Sequence, residues 1–108
     1  MKILITGISG FVGANFARFL IKKGAKIHGI IREESDLWRL EGIKEKITFH
    51  KGNILDKNQM EKIISSVKPD YLYHFAIYGA DSSEKDTEQI LKSSLFSSLY
   101  IFNAAINS

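Results

Sequence analysis

Three evenly spaced glycines near the amino terminus constrain the fold of this chain more than any other feature. The segment Thr6-Gly7-Ile8-Ser9-Gly10-Phe11-Val12-Gly13 follows an Ile/Leu-rich run and precedes a helical pattern. Gly7 permits a tight turn out of a strand, Gly10 lets a phosphate approach the backbone, and Gly13 lets a helix pack close to a sheet. The first amides of that helix favour an anion. The segment therefore predicts a strand–turn–helix unit that binds a dinucleotide.

Two alternatives to a dinucleotide site are a structural domain without a ligand and a P-loop. Glycines also serve as simple turn formers, so a structural α/β domain without a ligand stays open as an alternative. A P-loop is excluded, because no Gly-Lys-Ser/Thr follows the glycines.

Strand and helix patterns alternate along the rest of the chain. The predicted strands are Lys2–Thr6, Lys26–Ile31, Ile47–Lys51 and 71–75. The predicted helices are 11–23, a short one at 35–40, one that is capped by Asp56 and ended by Pro69-Asp70, and a long last one carrying an apolar stripe over 91–106. The order β-α-β-α-β-α-β-α predicts an α/β fold, a Rossmann-like doubly wound parallel sheet with strand order 3-2-1-4. The chain stops before a fifth strand.

Helical spacing also predicts which side chains of the first and third helices face the core. In the first helix these are Val12, Phe16, Phe19 and Leu20. In the third they are Met60, Ile63, Ile64 and Val67, at positions i, i+3, i+4 and i+7.

Composition excludes several classes of function. The 108 residues contain no cysteine, which excludes thiolate catalysis and disulfides and favours a cytoplasmic location. No apolar run approaches the roughly 18 residues of a membrane span, so no membrane partner is expected. The net charge of +3 comes mostly from scattered lysines, so nucleic-acid binding is not expected. The three histidines lie in different strands without metal-ligand spacing, and no metal is predicted.

The glycine segment resembles that of the extended short-chain dehydrogenase/reductases, the NAD(P)-dependent epimerases, dehydratases and reductases of nucleotide sugars. Three further segments resemble the same family: Lys-Gly-Asn-Ile-Leu-Asp at 51–56, Pro-Asp-Tyr-Leu-Tyr-His-Phe-Ala-Ile at 69–77, and the run at 94–104. The resemblance spans the whole chain and is greatest to the GDP-mannose dehydratase and CDP-hexose epimerase/reductase side. It implies an NAD(P)-binding Rossmann domain over 1–108, the incomplete amino-terminal part of a larger enzyme.

The resemblance also implies which residues contact the cofactor and substrate. The implied cofactor contacts are Gly7, Ser9, Gly10, Phe11, Val12, Gly13, Asn53, Ile54, Phe75, Ala76 and Ile77. Asn53 replaces the aspartate of the family and can still hydrogen-bond adenine or ribose. Tyr78 follows the fourth strand into the loop beside the ligand crevice, where it is expected to contact substrate or nicotinamide.

The residues after the second strand bear on the choice of cofactor. The resemblance places the ribose-binding carboxylate of NAD sites at Ile31, which cannot accept a hydrogen bond. Arg32 follows at once and suits a 2′-phosphate, with the Ser35 hydroxyl in reach. NADP is therefore predicted, with NAD as second choice. In the alternative, Arg32 is a solvated surface residue and Glu33 binds the ribose.

The catalytic residues of the family are not in this sequence. The family uses a Ser/Thr after strand 5 and a Tyr-x-x-x-Lys pair; none of the four tyrosines here has a lysine four positions later. We therefore expect the dinucleotide-binding part of a nucleotide-sugar enzyme, inactive alone, whose substrate is bound through a carboxyl-terminal part. The resemblance also implies a homodimer formed through the last helix. The alternative is a stand-alone, non-catalytic NAD(P)-binding module with a regulatory or redox-sensing role.

Overall fold

A parallel four-stranded sheet forms the centre of the molecule. The computed structural model describes residues 1–33 and 35–75. Within them the strands are β1 (Lys2–Thr6), β2 (Lys26–Ile31), β3 (Ile47–Lys51) and β4 (Tyr71–His74), all paired in parallel in the order β3-β2-β1-β4. The predicted Rossmann-like sheet and its strand order are confirmed. The fourth strand ends one residue before the predicted boundary.

Two α-helices cover opposite faces of this sheet. Helix α1 spans Phe11–Lys22 and helix α2 spans Lys57–Val67. As predicted, the Asp56 side chain caps α2, accepting a hydrogen bond from the Gln59 amide at 3.1 Å. No helix in the described part of the chain is long and apolar enough to cross a bilayer. The long last helix predicted around 91–106 lies outside the described residues.

The prediction of a short helix over 35–40 is wrong, because no α-helix forms there. The connection from β2 to β3 contains two single 3₁₀ turns instead, Trp38–Leu40 and Lys44–Lys46. The Ser35 hydroxyl accepts from the Arg32 amide at 3.0 Å, and the Asp36 carboxylate accepts from the Trp38 amide at 3.1 Å. Such short polar side chains compete with the helical hydrogen-bond ladder, which explains why no α-helix forms here.

Alternate strand residues supply two separate apolar layers. Ile3 and Ile5 face α1, together with Ile27 and the buried Leu40 of the first 3₁₀ turn. Leu4 and Ile30 face α2, where Met60 and Ile64 cover them. The period-two alternation of a strand explains why neighbouring residues serve opposite layers. The predicted face of α2 is confirmed, with Met60, Ile64 and Val67 buried and Ile63 packed beside them.

The predicted core face of α1 is partly wrong. The helix buries Gly13, Ala14 and Ala17, whereas Val12 and Phe19 are 59% and 54% exposed. Phe16 and Leu20 are partly buried against the core cluster, so the prediction is confirmed for these two residues. Small residues face the sheet because the start of α1 approaches β1 too closely for larger ones.

Candidate functional site

The glycine turn lies where β1 ends and α1 begins, at the carboxyl edge of the sheet. Gly7 has a φ of 71°, and its carbonyl accepts from the Gly10 amide at 3.1 Å, which closes the turn. A Cβ on Gly13 would lie 2.2 Å from the Gly7 carbonyl oxygen. The backbones of α1 and the turn lie against each other at this point. Helix α1 can begin so close to the end of β1 because Gly13 has no side chain.

Gly10 differs from the other two glycines because packing does not require it. Its φ of −80° is open to any residue, and a Cβ there would meet only the Gly7 oxygen at an ordinary 3.4 Å. Among the described residues, nothing else approaches this position. The missing side chain therefore leaves room at the turn, as close approach of a ligand would require.

The start of α1 is electrostatically prepared for an anion. Gly10 is its N-cap and offers no side-chain acceptor, and the first turn contains no acidic residue. The first amides of a helix have no partner within the helix and carry the positive end of its dipole. Phe11 and Val12 follow directly and are exposed. This end of α1 can therefore donate hydrogen bonds to a phosphate.

A second part of the site is an open cavity of about 320 Å³ at the carboxyl ends of β2 and β3. It is lined by Arg32, Glu33, Lys51, Gly52, Asn53 and Gln59. The Ser35 hydroxyl accepts from the Arg32 amide at 3.0 Å and keeps its own proton to donate. Two cations against one carboxylate give the cavity a net positive lining.

The sequence prediction missed Lys51 and Gln59 as lining residues. Lys51 is the last residue of β3 and pairs in register with Ile31, directly before Arg32. Only this pairing, which joins residues twenty positions apart, brings the two cations to one cavity. The signal in the sequence was a charged residue at the end of a predicted strand.

Asn53 is held by Leu55 of its own loop and by Gln59 of α2. Its amide oxygen accepts from the Leu55 amide at 2.9 Å, and its backbone N–H donates to Gln59 Oε1 at 2.7 Å. The side-chain NH₂ is left as the group that can bond adenine or ribose. Ile54 packs its side chain against the α2 layer, so a cofactor contact would involve its backbone.

Phe75 directly follows β4, and its half-buried side chain packs against the core cluster on the α1 side. Its ring is 5.7 Å from that of Phe16, edge to face, and its amide donates to the Thr6 carbonyl at 3.1 Å. Thr6 Oγ1 is 2.5 Å from His74 Nδ1 on the opposite face of the sheet. The predicted contacts Ala76, Ile77 and Tyr78 lie outside the described residues.

Two histidines that looked isolated in the sequence meet across strands. His28 Nδ1 lies 3.0 Å from His50 Nε2, and the rings stack with centroids 5.2 Å apart. Burial lowers the pKa of both histidines, and for His28 the charges of His50, Lys2 and Lys26 lower the pKa further. Residues 1–33 and 35–75 hold no cluster of three or more His, Cys, Asp or Glu able to bind a metal.

This histidine pair contributes to a dependence of stability on pH, as does His74, whose pKa is also lowered by burial. Because the folded-state pKa of each lies below its unfolded value near 6.5, protons bind the unfolded chain more strongly. We expect full stability above pH 6.5 and a falling urea midpoint as the pH drops below it. The double variant His28→Gln/His50→Gln should lose less between pH 7.5 and 5. Equal losses in the two proteins would contradict this assignment.

The comparison with protein families identifies the kind of protein to which this site belongs. The family model described as GDP-mannose 4,6 dehydratase matches residues 4–107. The chain belongs to this family. The GDP-mannose 4,6-dehydratase family is part of the extended short-chain dehydrogenase/reductases, so the predicted resemblance is confirmed.

Individual relatives agree with this assignment. Human GDP-mannose 4,6 dehydratase is 37% identical over 92 residues, which cover 76% of this chain and 24% of the human protein. The dTDP-D-glucose 4,6-dehydratase of Dictyostelium discoideum is 31% identical, covering 98% of this chain and 26% of its own. The chain thus spans about a quarter of the length of these curated relatives.

Solved structures share the fold of this chain. UDP-glucose 4-epimerase of Thermotoga maritima, crystallised with UDP-glucose, superposes with a TM-score of 0.85 at 26% identity, covering 99% of this chain and 34% of that one. The enzyme WbmH of Bordetella bronchiseptica, crystallised with NAD⁺, gives 0.80 at 27% identity, covering 96% and 34%.

Proposed function

We propose that this chain is the dinucleotide-binding part of a nucleotide-sugar epimerase, dehydratase or reductase. The cofactor in this proposal is NADP(H), which when bound would supply hydride transfer from or to the sugar. The observation that carries the proposal is the glycine turn. Gly10 leaves space beside a helix start that has no side-chain cap, although the packing around Gly10 would allow a larger residue.

The comparisons support the class of reaction. The relatives named above are dehydratases of GDP-mannose and dTDP-glucose, and the structural neighbours include an epimerase with UDP-glucose and an enzyme with NAD⁺. The proposed unit is residues 1–108, to which a carboxyl-terminal part would add the substrate site and the Ser/Thr and Tyr-x-x-x-Lys residues. Tyr78 as a substrate contact, a homodimer and a cytoplasmic location belong to the same proposal.

In the proposed complex the first amides of α1 hold the pyrophosphate. Asn53 offers its side-chain NH₂ to adenine or ribose, because its amide oxygen is already engaged by Leu55. Phe75 supports the nicotinamide end only through its backbone, since its ring packs on Phe16. The chain's own share of the mechanism is therefore to bind and orient the cofactor.

The preference for NADP(H) rests on the charges of the cavity. Arg32 and Lys51 both line it, and Ser35 can add a hydroxyl donor beside Arg32. The oxygens of a 2′-phosphate accept hydrogen bonds from such donors, whereas the 2′-hydroxyl of NAD donates to a carboxylate. Glu33 lines the same cavity and is the residue that would serve NAD.

Replacing Arg32 with glutamine tests this preference. We expect NADPH affinity to fall about 10- to 100-fold, since a charge-assisted hydrogen bond is lost, and NADH affinity to change little. Isothermal titration of both nucleotides measures the ratio. The matched control Lys46→Gln removes the same charge from an exposed position at the opposite end of β3. An unchanged NADPH-to-NADH ratio in Arg32→Gln would refute the preference.

A further inference from the structure

An arginine other than Arg32 contacts the glycine turn from the loop between β2 and β3. Arg39 belongs to the 3₁₀ turn Trp38–Leu40, and its Nη1 donates to the Ser9 carbonyl oxygen at 3.4 Å. Ser9 lies inside the glycine turn, between Gly7 and Gly10. The guanidinium is thus adjacent to the start of α1, although thirty positions separate the two residues.

The guanidinium is presented so that its edges remain open to a ligand. Arg39 stacks on the Trp38 ring, with its central carbon 4.5 Å from the ring centroid. Stacking engages the flat face of a guanidinium and leaves its N–H groups in the plane free to donate. Within the described residues, the long bond to Ser9 is the one hydrogen bond that the side chain of Arg39 makes. No carboxylate neutralises it there.

The turn that carries Arg39 is anchored to α1 by hydrogen bonds and by packing. Arg18 of α1 donates from Nη2 to the carbonyl oxygens of Arg39 at 2.6 Å and Glu41 at 2.9 Å. Leu40 is fully buried under α1. The backbone of the turn is therefore fixed to the same helix whose first amides form the anion site.

We infer that Arg39 is a second phosphate-binding cation of the dinucleotide site and that Arg18 is its positioning residue. This inference rests on the proposed function and adds a cation that the glycine turn and the residues after β2 did not indicate. The ligand chemistry is a phosphate group, either the pyrophosphate or the 2′-phosphate of the dinucleotide. A phosphate can replace the long Ser9 contact with shorter, charge-assisted bonds to the same guanidinium.

The test is titration of the purified chain with NADPH and with NADH, comparing wild type, Arg39→Gln and the control Lys46→Gln. We expect Arg39→Gln to weaken binding about tenfold or more and Lys46→Gln to leave it unchanged. A loss for NADPH alone identifies the 2′-phosphate, and an equal loss for both nucleotides identifies the pyrophosphate. Wild-type affinity of Arg39→Gln for both would overturn the inference while leaving the proposed function intact. Absence of binding by the wild type would instead overturn both.

Arg18 is tested by a double-mutant cycle. Arg18→Gln should weaken NADPH binding in the wild-type background but add nothing in Arg39→Gln, because its effect passes through Arg39. A general loss of structure would instead lower the affinity by the same factor in both backgrounds, and this outcome would contradict a positioning role. Thermal melts of all variants and the fluorescence of Trp38, the single tryptophan, report whether the turn has kept its place.

Discussion

Replacing Gly13 with alanine is expected to lower the free energy of unfolding by about 3 kcal/mol or more, or to prevent folding altogether. The added methyl group would lie 2.2 Å from the Gly7 carbonyl oxygen and 2.9 Å from both the Gly7 carbonyl carbon and Ile8 Cα. All three are backbone atoms, so no side chain can turn aside to relieve the clash. Relief requires α1 to move away from the sheet, which opens the layer formed by Ala14 and Ala17.

Urea denaturation followed by circular dichroism measures this effect. Gly10→Ala is the matched control, because its methyl group meets the same oxygen at 3.4 Å and its φ of −80° suits alanine. We expect the control to unfold close to the wild-type midpoint. A Gly13→Ala variant as stable as this control would show that the close approach of α1 to β1 is wrong.

The same Gly10→Ala variant carries the second large expectation, a loss of about 10- to 100-fold in NADPH and NADH affinity. The methyl group occupies the space beside the helix start, so phosphate oxygens would be held away from the first amides of α1. Because the fold is spared, the loss reports on the ligand and not on stability.

Isothermal titration of both nucleotides, with a thermal melt on the same sample, measures this second effect. Lys46→Gln, a substitution outside the site, is the control and should bind both nucleotides with wild-type affinity. Wild-type affinity of Gly10→Ala for both nucleotides would contradict the claim that the space beside Gly10 admits their phosphates.

The strands and the glycine turn could be predicted because their signals are local. The run Lys26–Ile31 is rich in isoleucine and follows Gly24, and the turn after β1 needs the positive φ that Gly7 can adopt. The strand order then follows from alternation and the handedness of the crossovers. Neither step needs contacts between distant residues.

The orientation of α1 and the lining of the site depend on distant contacts, and these the sequence did not reveal. Spacing favoured the large residues Val12 and Phe19 for the core, but the approach set by Gly13 and Gly7 selects small residues instead. Lys51 joins the cavity only through the register of β3, and Arg39, in the 3₁₀ turn Trp38–Leu40, contacts a residue thirty positions earlier.

Titration of the purified wild-type chain with NADPH, with NADH in a parallel cell, is the most direct test of the central claim that this is a dinucleotide-binding chain. We expect saturable one-to-one binding of both nucleotides, tighter for NADPH. A chain that melts cooperatively yet gives only heats of dilution with both nucleotides would contradict the account.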